Sequence, residues 1–320
     1  MDNRITKKRL SDLLSYDWIL IIVVAVAAII LMELLFTFTS VRTTEGQRFN
    51  YFYDENVSSD NDGVFIETVN RNNLFSFDIK EISSEALTSD YNVLSVRLST
   101  YDGDVIFTDT FDSGEEGASV RAKTIIDGFK MFTFGDDTDE ESILYNAKKY
   151  LSGFLADGKT DVSDYANLDE NKISENFNVR AGERVYRNDI NAGLISVKDE
   201  YARIKKLCEE VAYFQKVLDY DKTRGDDSIF YSYKRFEQAA ANGEEVPTEY
   251  EQAAPKNYGI NLTKLGEKAR NTFYVRNKNN SAAVVVLAFD FKAQIPDLQY
   301  ETLSFINAII RNYADFADLL

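Results

Sequence analysis

Carboxylates are the residues whose types and spacing in this sequence are best suited to chemistry. The segment "YDGDVIFTDT" holds Asp102, Asp104 and Asp109, and two carboxylates at a suitable distance can act as general acid and general base. The chain has 53 acidic residues, however, so such groupings also arise by composition alone. The nucleophile-elbow, phosphate-loop, zinc-protease and dinucleotide fingerprints do not occur in the sequence. We therefore predict that the protein is not an enzyme.

Histidine and cysteine usage excludes several kinds of site. The chain has no histidine and one cysteine, Cys208, which rules out a histidine-based triad, a multi-cysteine zinc site and an internal disulfide. The acidic segments "LADGKTDVSDYANL" and "DENVSSDNDG" have the composition of calcium loops. Calcium loops need oxygen ligands from side chains at fixed positions. In the first segment two of these positions fall on Gly153 and Leu155, and in the second the twelfth position falls on Val69, and none of these residues has a side-chain oxygen. We predict neither a metal nor a cofactor.

Two polar stretches end segments that have strand patterns, and we expect them to line a ligand cleft. Asp54 ends "QRFNYFYD", and Thr108, Asp109 and Thr110 end "DVIFTDT". If the two strands are parallel neighbours, their carboxyl ends lie at the same edge of the sheet, where such sheets bind ligands. Two hydroxyls and two carboxylates suit a polyhydroxy or cationic solute. The alternative is that they are turn residues that cap helices.

The elements that must position these residues follow a β-α-β-α-β order. Alternation predicts strands near 47–54 and 75–82 and a buried strand over 104–110. Helical spacing predicts a short helix over 64–74 and a second helix that runs from Leu87 through Leu98. Strands that alternate with helices are typical of an α/β fold with a parallel sheet. We expect these elements to belong to an extracytoplasmic α/β domain that spans residues 40–320.

A helical middle section and a C-terminal strand and helix follow. We predict a helical subdomain of about residues 137–260, in which "SVKDEYARIKKLCEEVAYFQKVLDY" is the clearest amphipathic helix and places Cys208 on its core-facing stripe. Within it, residues 221–258 are polar and are predicted as a loop or flexible hairpin. The run "SAAVVVLAFDF" predicts a buried strand. Residues 295–316 predict a final helix with Asp297 at its N-cap.

The N-terminal segment from Trp18 to Phe38 is long and apolar enough to span a bilayer, at about 1.5 Å per residue. Arg4, Lys7, Lys8 and Arg9 precede it, and the positive-inside rule then places the N-terminus in the cytoplasm. We predict a cytoplasmic tail over 1–16, an uncleaved single-pass transmembrane helix over 17–39, and the remainder outside the cell membrane.

Glu33 is the one charged residue inside this apolar segment. A carboxylate near the outer boundary of a bilayer either reaches towards the interface or is protonated, at a cost of a few kcal/mol. Alternatively, it pairs with a polar group on a partner helix. The sequence leaves both interpretations open, and Glu33 is our candidate for a residue that contacts a membrane partner.

The acidic charge balance bears on the partners of the protein. The formal net charge is −17 at pH 7, so the chain repels the phosphate backbone of nucleic acids. We predict no nucleic-acid partner.

The pattern resembles one family, the extracytoplasmic solute-binding proteins of the type II periplasmic-binding class. These proteins begin with a strand, a helix, a strand and a helix that leads into a "G-x-D-V-I" strand, and "LSVRLSTYDGDVIFTDT" is similar to that last step. Their C-terminal part has a strand-to-helix segment similar to "VVVLAFDFKAQIPDLQYETLSFINAII". The resemblance covers residues 47–110 and 283–315, and Gly103 to Ile106 match a motif that is structural in the family. It implies an α/β fold and a solute ligand.

We therefore expect a membrane-anchored extracytoplasmic protein that binds a small solute or is attached to a transport system. The alternative is a scaffold that contacts other membrane proteins through its ectodomain and transmembrane helix.

Overall fold

The computed structural model describes residues 7–8, 11, 18–39, 48–59, 79, 81–87, 92–99, 103–110, 121–157, 167–182, 196–275, 282–290 and 299–316. These residues belong to two compact units, Met1–Thr43 and Thr44–Leu320. The predicted helix over 64–74, the N-cap at Asp297 and most of the predicted tail over 1–16 lie outside the described residues.

The N-terminal unit contains helix α1, Trp18–Thr39. No glycine or proline interrupts it, so every turn can form its backbone hydrogen bonds. Among the described residues, it is the one helix whose length and composition would allow it to cross a membrane. Glu33 lies on this helix with its side chain exposed. Membrane insertion, orientation and a partner for Glu33 stay predictions.

The second unit combines eight strands and nine further α-helices among the described residues. The strands are β1 Arg48–Asp54, β2 Val57–Ser59, β3 Glu81–Leu87, β4 Val105–Asp109, β5 Phe230–Tyr233, β6 Lys256–Asn261, β7 Phe273–Val275 and β8 Val284–Ala288. The helices are α2 Asn92–Ser99, α3 Arg121–Gly128, α4 Ile143–Ser152, α5 Glu170–Gly182, α6 Val197–Asp221, α7 Glu237–Ala241, α8 Thr248–Glu251, α9 Glu267–Thr272 and α10 Gln299–Tyr313.

Six of these strands form one mixed sheet in the order β3-β1-β4-β8-β6-β5, and β2 pairs with β7 in a separate two-stranded sheet. Strand β1 pairs in parallel with β3 and with β4. The pairs β4–β8, β8–β6 and β6–β5 are antiparallel. The α/β class is confirmed. The predicted parallel arrangement is correct for β3, β1 and β4 and wrong for β8, β6 and β5. The sequence could not distinguish the two, because a continuous apolar run such as 284–288 suits a buried strand of either direction.

Two predictions near β3 differ from the structure. Strand β3 is Glu81–Leu87, so it continues past the end predicted near residue 82, and Leu87 belongs to this strand rather than to a helix, while helix α2 is Asn92–Ser99. Residues 75–78 and 80, which were predicted in the same strand, lie outside the described residues. The polar segment 221–258, predicted as a loop or hairpin, contributes β5 and the first residues of β6 to the sheet. In each case the residues form a strand because they pair with a neighbouring strand. Their sequence shows little alternation of apolar and polar residues, so the pattern alone did not predict a strand there.

Helices cover both faces of the six-stranded sheet. On one face, Phe49, Tyr51 and Phe107 pack in a core with side chains from α4, α6 and α10. On the other face, which we call the α2–α3 face, Phe52 and Ile106 pack in a second core with side chains from α2 and α3. The two cores differ because successive residues of a strand point to opposite sides.

Helix α6 confirms the strongest helix prediction. The backbone N–H and the hydroxyl of Ser196 both donate to Asp199 Oδ2, each at 2.7 Å, and so fix the helix start. Its buried stripe contains Ile204, Leu207, Cys208, Val211, Phe214 and Leu218. Cys208 is 1% exposed, which confirms its place in the core, and this burial raises the pKa of its thiol to about 12.

Candidate functional site

The carboxyl ends of β1 and β4 lie side by side, as the sequence predicted. The parallel register pairs Tyr53 with Phe107, and continuing it by one residue places Asp54 opposite Thr108. The alternation of side chains then separates the predicted site residues. Asp54 and Thr108 point to the α2–α3 face, whereas Asp109 points to the opposite face. Asp54, Thr108 and Asp109 are each 0% exposed, so the expectation of side chains open to a crevice is wrong for these three.

Asp54 is held by a cation that the sequence prediction missed. Arg121, the first residue of α3, donates from Nη1 to Asp54 Oδ1 and from Nη2 to Glu55 Oε1, the latter at 3.0 Å. The backbone N–H of Asn56 also donates to Asp54 Oδ1 at 3.2 Å. A buried carboxylate needs such a partner. The sequence offered no sign of this pair, since Arg121 lies 67 residues from Asp54.

The two threonines at this edge have different surroundings. Thr110 Oγ1 accepts a hydrogen bond from the Ala283 N–H at 2.9 Å, and its own N–H donates to the Ala283 carbonyl at 3.0 Å. Thr110 therefore fastens the end of β4 to the start of β8. Thr108 Oγ1 is buried without a hydrogen-bond partner. A ligand role for Asp54, Thr108, Asp109 and Thr110 stays a prediction.

An open cavity of about 270 Å³ lies on the α2–α3 face, over β1 and β3. It is lined by Arg48, Asn50, Tyr51, Phe52, Glu81, Ser83, Glu85 and Arg97. The β1–β3 register sets three residue pairs across its floor: Arg48 opposite Glu81, Asn50 opposite Ser83, and Phe52 opposite Glu85. Arg97 reaches the cavity from α2.

Two ion pairs flank a central polar pair in this cavity. Arg48 Nε lies 3.3 Å from Glu81 Oε2, and Arg97 Nη2 lies 2.9 Å from Glu85 Oε2. Between them the Ser83 hydroxyl donates to the Asn50 side-chain oxygen. These four charged side chains are 39–50% exposed, so they stand at the boundary with solvent.

The structure thus points to residues that the sequence prediction left out. Glu81, Ser83 and Glu85 share one side of β3 by period-two spacing, but this segment was expected to divide between a strand and a helix. Arg48 and Arg97 join them only through the register of β1 and the placement of α2. The alternation in "EISSE" was the one local signal that could have marked the site.

Among the residues that the structure describes, no group of three or more histidine, cysteine or carboxylate side chains is placed to hold a metal ion.

Comparisons of the chain with family models, with curated proteins and with solved structures found no match.

Proposed function

We propose that this chain is a membrane-anchored extracytoplasmic protein that binds a small polar solute in the cavity over β1 and β3. The cavity carries the proposal. It is concave, and it gathers two arginines, two glutamates, an asparagine and a serine. A small number of convergent polar groups in a cleft is the usual form of a small-molecule site. Its 270 Å³ is close to the lower end of the range for such sites.

Helix α1 and its flanking charges support the anchor. The helix is apolar apart from Glu33 and two threonines at its C-terminal end, and Arg4, Lys7, Lys8 and Arg9 precede it. By the positive-inside rule, this asymmetry favours an extracytoplasmic position for residues 40–320. Attachment to a transport system is compatible with this arrangement.

The strand arrangement supports the resemblance to solute-binding proteins. The three strands that the resemblance predicts are parallel neighbours, with β1 between β3 and β4. Helix α2 leads into β4 through Gly103 and Asp104, as the matched motif implies. The Asp104 carboxylate accepts the Asn50 N–H at 2.9 Å, so this motif residue joins β4 to β1 rather than facing a ligand.

The binding test uses the full chain in detergent micelles, screened by thermal shift against amino acids, peptides, sugars and metal salts. A ligand of the cavity should raise the Tm of the parent and of Asp219→Asn, whose exposed ion pair with Lys222 lies on α6, outside the cavity lining. It should not raise the Tm of Arg97→Gln. A ligand that stabilises Arg97→Gln as much as the parent would place the site elsewhere.

The orientation is tested separately by adding protease to intact cells. We expect loss of the bulk of the chain and protection of a fragment that contains α1. If residues 40–320 survive until the membrane is broken, the proposed topology is wrong.

A second candidate function is a scaffold that contacts another membrane protein, and Glu33 favours it. An ionised carboxylate at the centre of a membrane helix costs about 2.5–3.5 kcal/mol, less near the interface, and a cationic side chain on a neighbouring helix would offset this cost. Site-specific crosslinking from α1 in native membranes tests the idea. We expect one crosslinked product that Glu33→Leu abolishes and that Met32→Leu, the adjacent control, retains.

A further inference from the structure

We infer that the solute of the cavity is a zwitterion the size of a short peptide, bound through both of its charged ends. The inference rests on the proposed binding function and names its ligand class. The cavity lining contains two cations, Arg48 and Arg97, and two anions, Glu81 and Glu85. The charged side chains of the lining therefore sum to zero, although the whole chain carries a net charge of −17. A site for a simple anion or a simple cation would present one sign of charge to its ligand, whereas this cavity presents both.

The spacing of the charges sets the length of the ligand. Glu81 and Glu85 are four residues apart on β3, so their Cα atoms are about 13 Å apart at roughly 3.3 Å per residue. Each glutamate has its own arginine beside it, so each end of the cavity has one cation and one anion. The charges of a free amino acid are too close together to reach both ends. An extended chain of two or three residues is about 7–11 Å long at about 3.3–3.6 Å per residue. A hydrogen bond of about 2.9 Å at each end covers the remaining distance, so its ammonium and carboxylate can reach opposite ends of the cavity.

The volume agrees with that length. At roughly 30 Å³ for each water molecule, a cavity of about 270 Å³ has room for about nine waters, the space of a di- or tripeptide with small side chains. In the middle of the cavity, the Asn50 amide and the Ser83 hydroxyl offer both donor and acceptor atoms. A peptide group needs one of each.

A sugar fits the lining less well. Carbohydrate recognition would use the exposed face of an aromatic ring, but the aromatic residues at the cavity, Tyr51 and Phe52, are 1% and 2% exposed. The charged side chains, by contrast, are 39–50% exposed. Ion pairs as exposed as Arg48–Glu81 and Arg97–Glu85 are held weakly, and guanidinium and carboxylate groups have several hydrogen-bonding positions each. Each of the four charged side chains can therefore keep its ion-pair partner and also bind one end of a peptide.

The experiment measures binding of trialanine to the full chain in detergent micelles by isothermal titration calorimetry. Alanine, trialanine with an acetylated N-terminus, trialanine with an amidated C-terminus, and glucose serve as comparison probes. We expect trialanine to bind, and we expect blocking either end to weaken binding about tenfold or more, the effect of losing a charge-assisted hydrogen bond. Alanine should also bind at least about tenfold more weakly, because it engages one end only.

Variants at the two ends test the geometry. Arg97→Gln with Glu81→Gln, and Arg48→Gln with Glu85→Gln, each remove one cation and one anion from opposite ends, so one of these double variants should lose trialanine binding about tenfold or more. Asp219→Asn is the control. Blocked trialanine that binds as tightly as the free form overturns the inference. Glucose binding that depends on Arg97 also overturns it but leaves the solute-binding function standing. A chain that binds none of the probes overturns the inference, whereas the solute-binding function is overturned only if the thermal-shift screen also finds no ligand that depends on Arg97.

Discussion

Phe52 lies directly against Gly103: a Cβ atom at position 103 would come within 2.4 Å of Phe52 Cε2 and 3.2 Å of a Leu98 methyl group. Gly103 connects α2 to β4, and Phe52 forms part of the cavity lining. The missing side chain at position 103 therefore leaves the space that the Phe52 ring and the Leu98 side chain of α2 occupy.

The first prediction follows from that contact. Gly103→Ala should destabilise the second unit by about 1–3 kcal/mol, since it forces Phe52 out of its position in a packed core. Urea unfolding of residues 44–320, followed by circular dichroism, measures the change. Gly128→Ala is the control, because no atom lies within 4 Å of a Cβ at that position. Equal stability of Gly103→Ala and the parent would show that position 103 does not lie tightly against Phe52.

The second prediction compares the two threonines at the end of β4. Thr108→Val should leave stability unchanged or raise it by up to about 1 kcal/mol, because the replaced hydroxyl is buried without a partner. Thr110→Val should cost about 1–2 kcal/mol, because it leaves the Ala283 N–H without its acceptor. The same urea experiment measures both. A ligand that binds Thr108→Val more weakly than the parent would support the predicted role of Thr108 in binding.

The third prediction concerns the pair between Asp54 and Arg121. Asp54→Asn should destabilise the unit by about 2–3 kcal/mol, because it breaks an ion pair whose carboxylate is fully buried. Asp219→Asn, in the exposed pair with Lys222, should cost less than about 0.5 kcal/mol. The comparison fails if both variants lose the same stability in urea titrations.

The fourth prediction uses two aspartates whose pKa values shift in opposite directions. Burial raises the pKa of Asp127 above its ordinary value of 3.8, despite hydrogen bonds from the Phe236 N–H and the Tyr233 hydroxyl. Burial also opposes ionisation of Asp139, but hydrogen bonds from Thr133 and Lys256 outweigh it and lower its pKa.

The two shifts have opposite consequences for stability. Between pH 3.8 and the raised pKa of Asp127, the folded state binds more protons than the unfolded state, so this group lowers stability as the pH rises. Asp139 contributes stability above pH 3.8 that is lost as the pH falls through its lowered pKa. Relative to the parent, Asp127→Asn should gain stability with rising pH and Asp139→Asn should lose it. Urea midpoints between pH 3 and 7 measure both, and parallel pH profiles for the two variants would contradict the assignment.

The fifth prediction is that residues 44–320 fold without α1, because this unit contains both cores of the sheet. Circular dichroism should show a cooperative thermal transition in the absence of detergent. A fragment that aggregates or melts without cooperativity would show that the unit needs its anchor or a partner, and would favour the scaffold function.

The sequence predicted elements whose pattern is local. Strands β4 and β8 and helices α6 and α10 follow from continuous apolar runs or from helical stripes, which need no knowledge of their neighbours. It missed the direction of β8 relative to β4, since both directions bury the same side chains. It also misread 81–87, whose polar residues gain their place through pairing with β1.

The candidate site was harder to predict than the fold. The adjacency of Asp54 and Thr108 followed correctly from parallel strands, but the partner Arg121 did not, because a long-range ion pair has no sequence period. The cavity required the register of Arg48 with Glu81 and the approach of Arg97 on α2. Neither is encoded by spacing along one segment.

Strand β8 has a consequence for the order in which the protein is made. It lies between β4 and β6 in the sheet, yet residues 284–288 are synthesised after every other strand in the described part of the chain. Until they leave the ribosome, β3, β1 and β4 form one fragment of sheet and β5 and β6 form another, each with an unpaired inner edge. Such long-range closure is slow, and unpaired edges promote aggregation. The sheet therefore keeps two unpaired inner edges, those of β4 and β6, until residues 284–288 are available to pair with both.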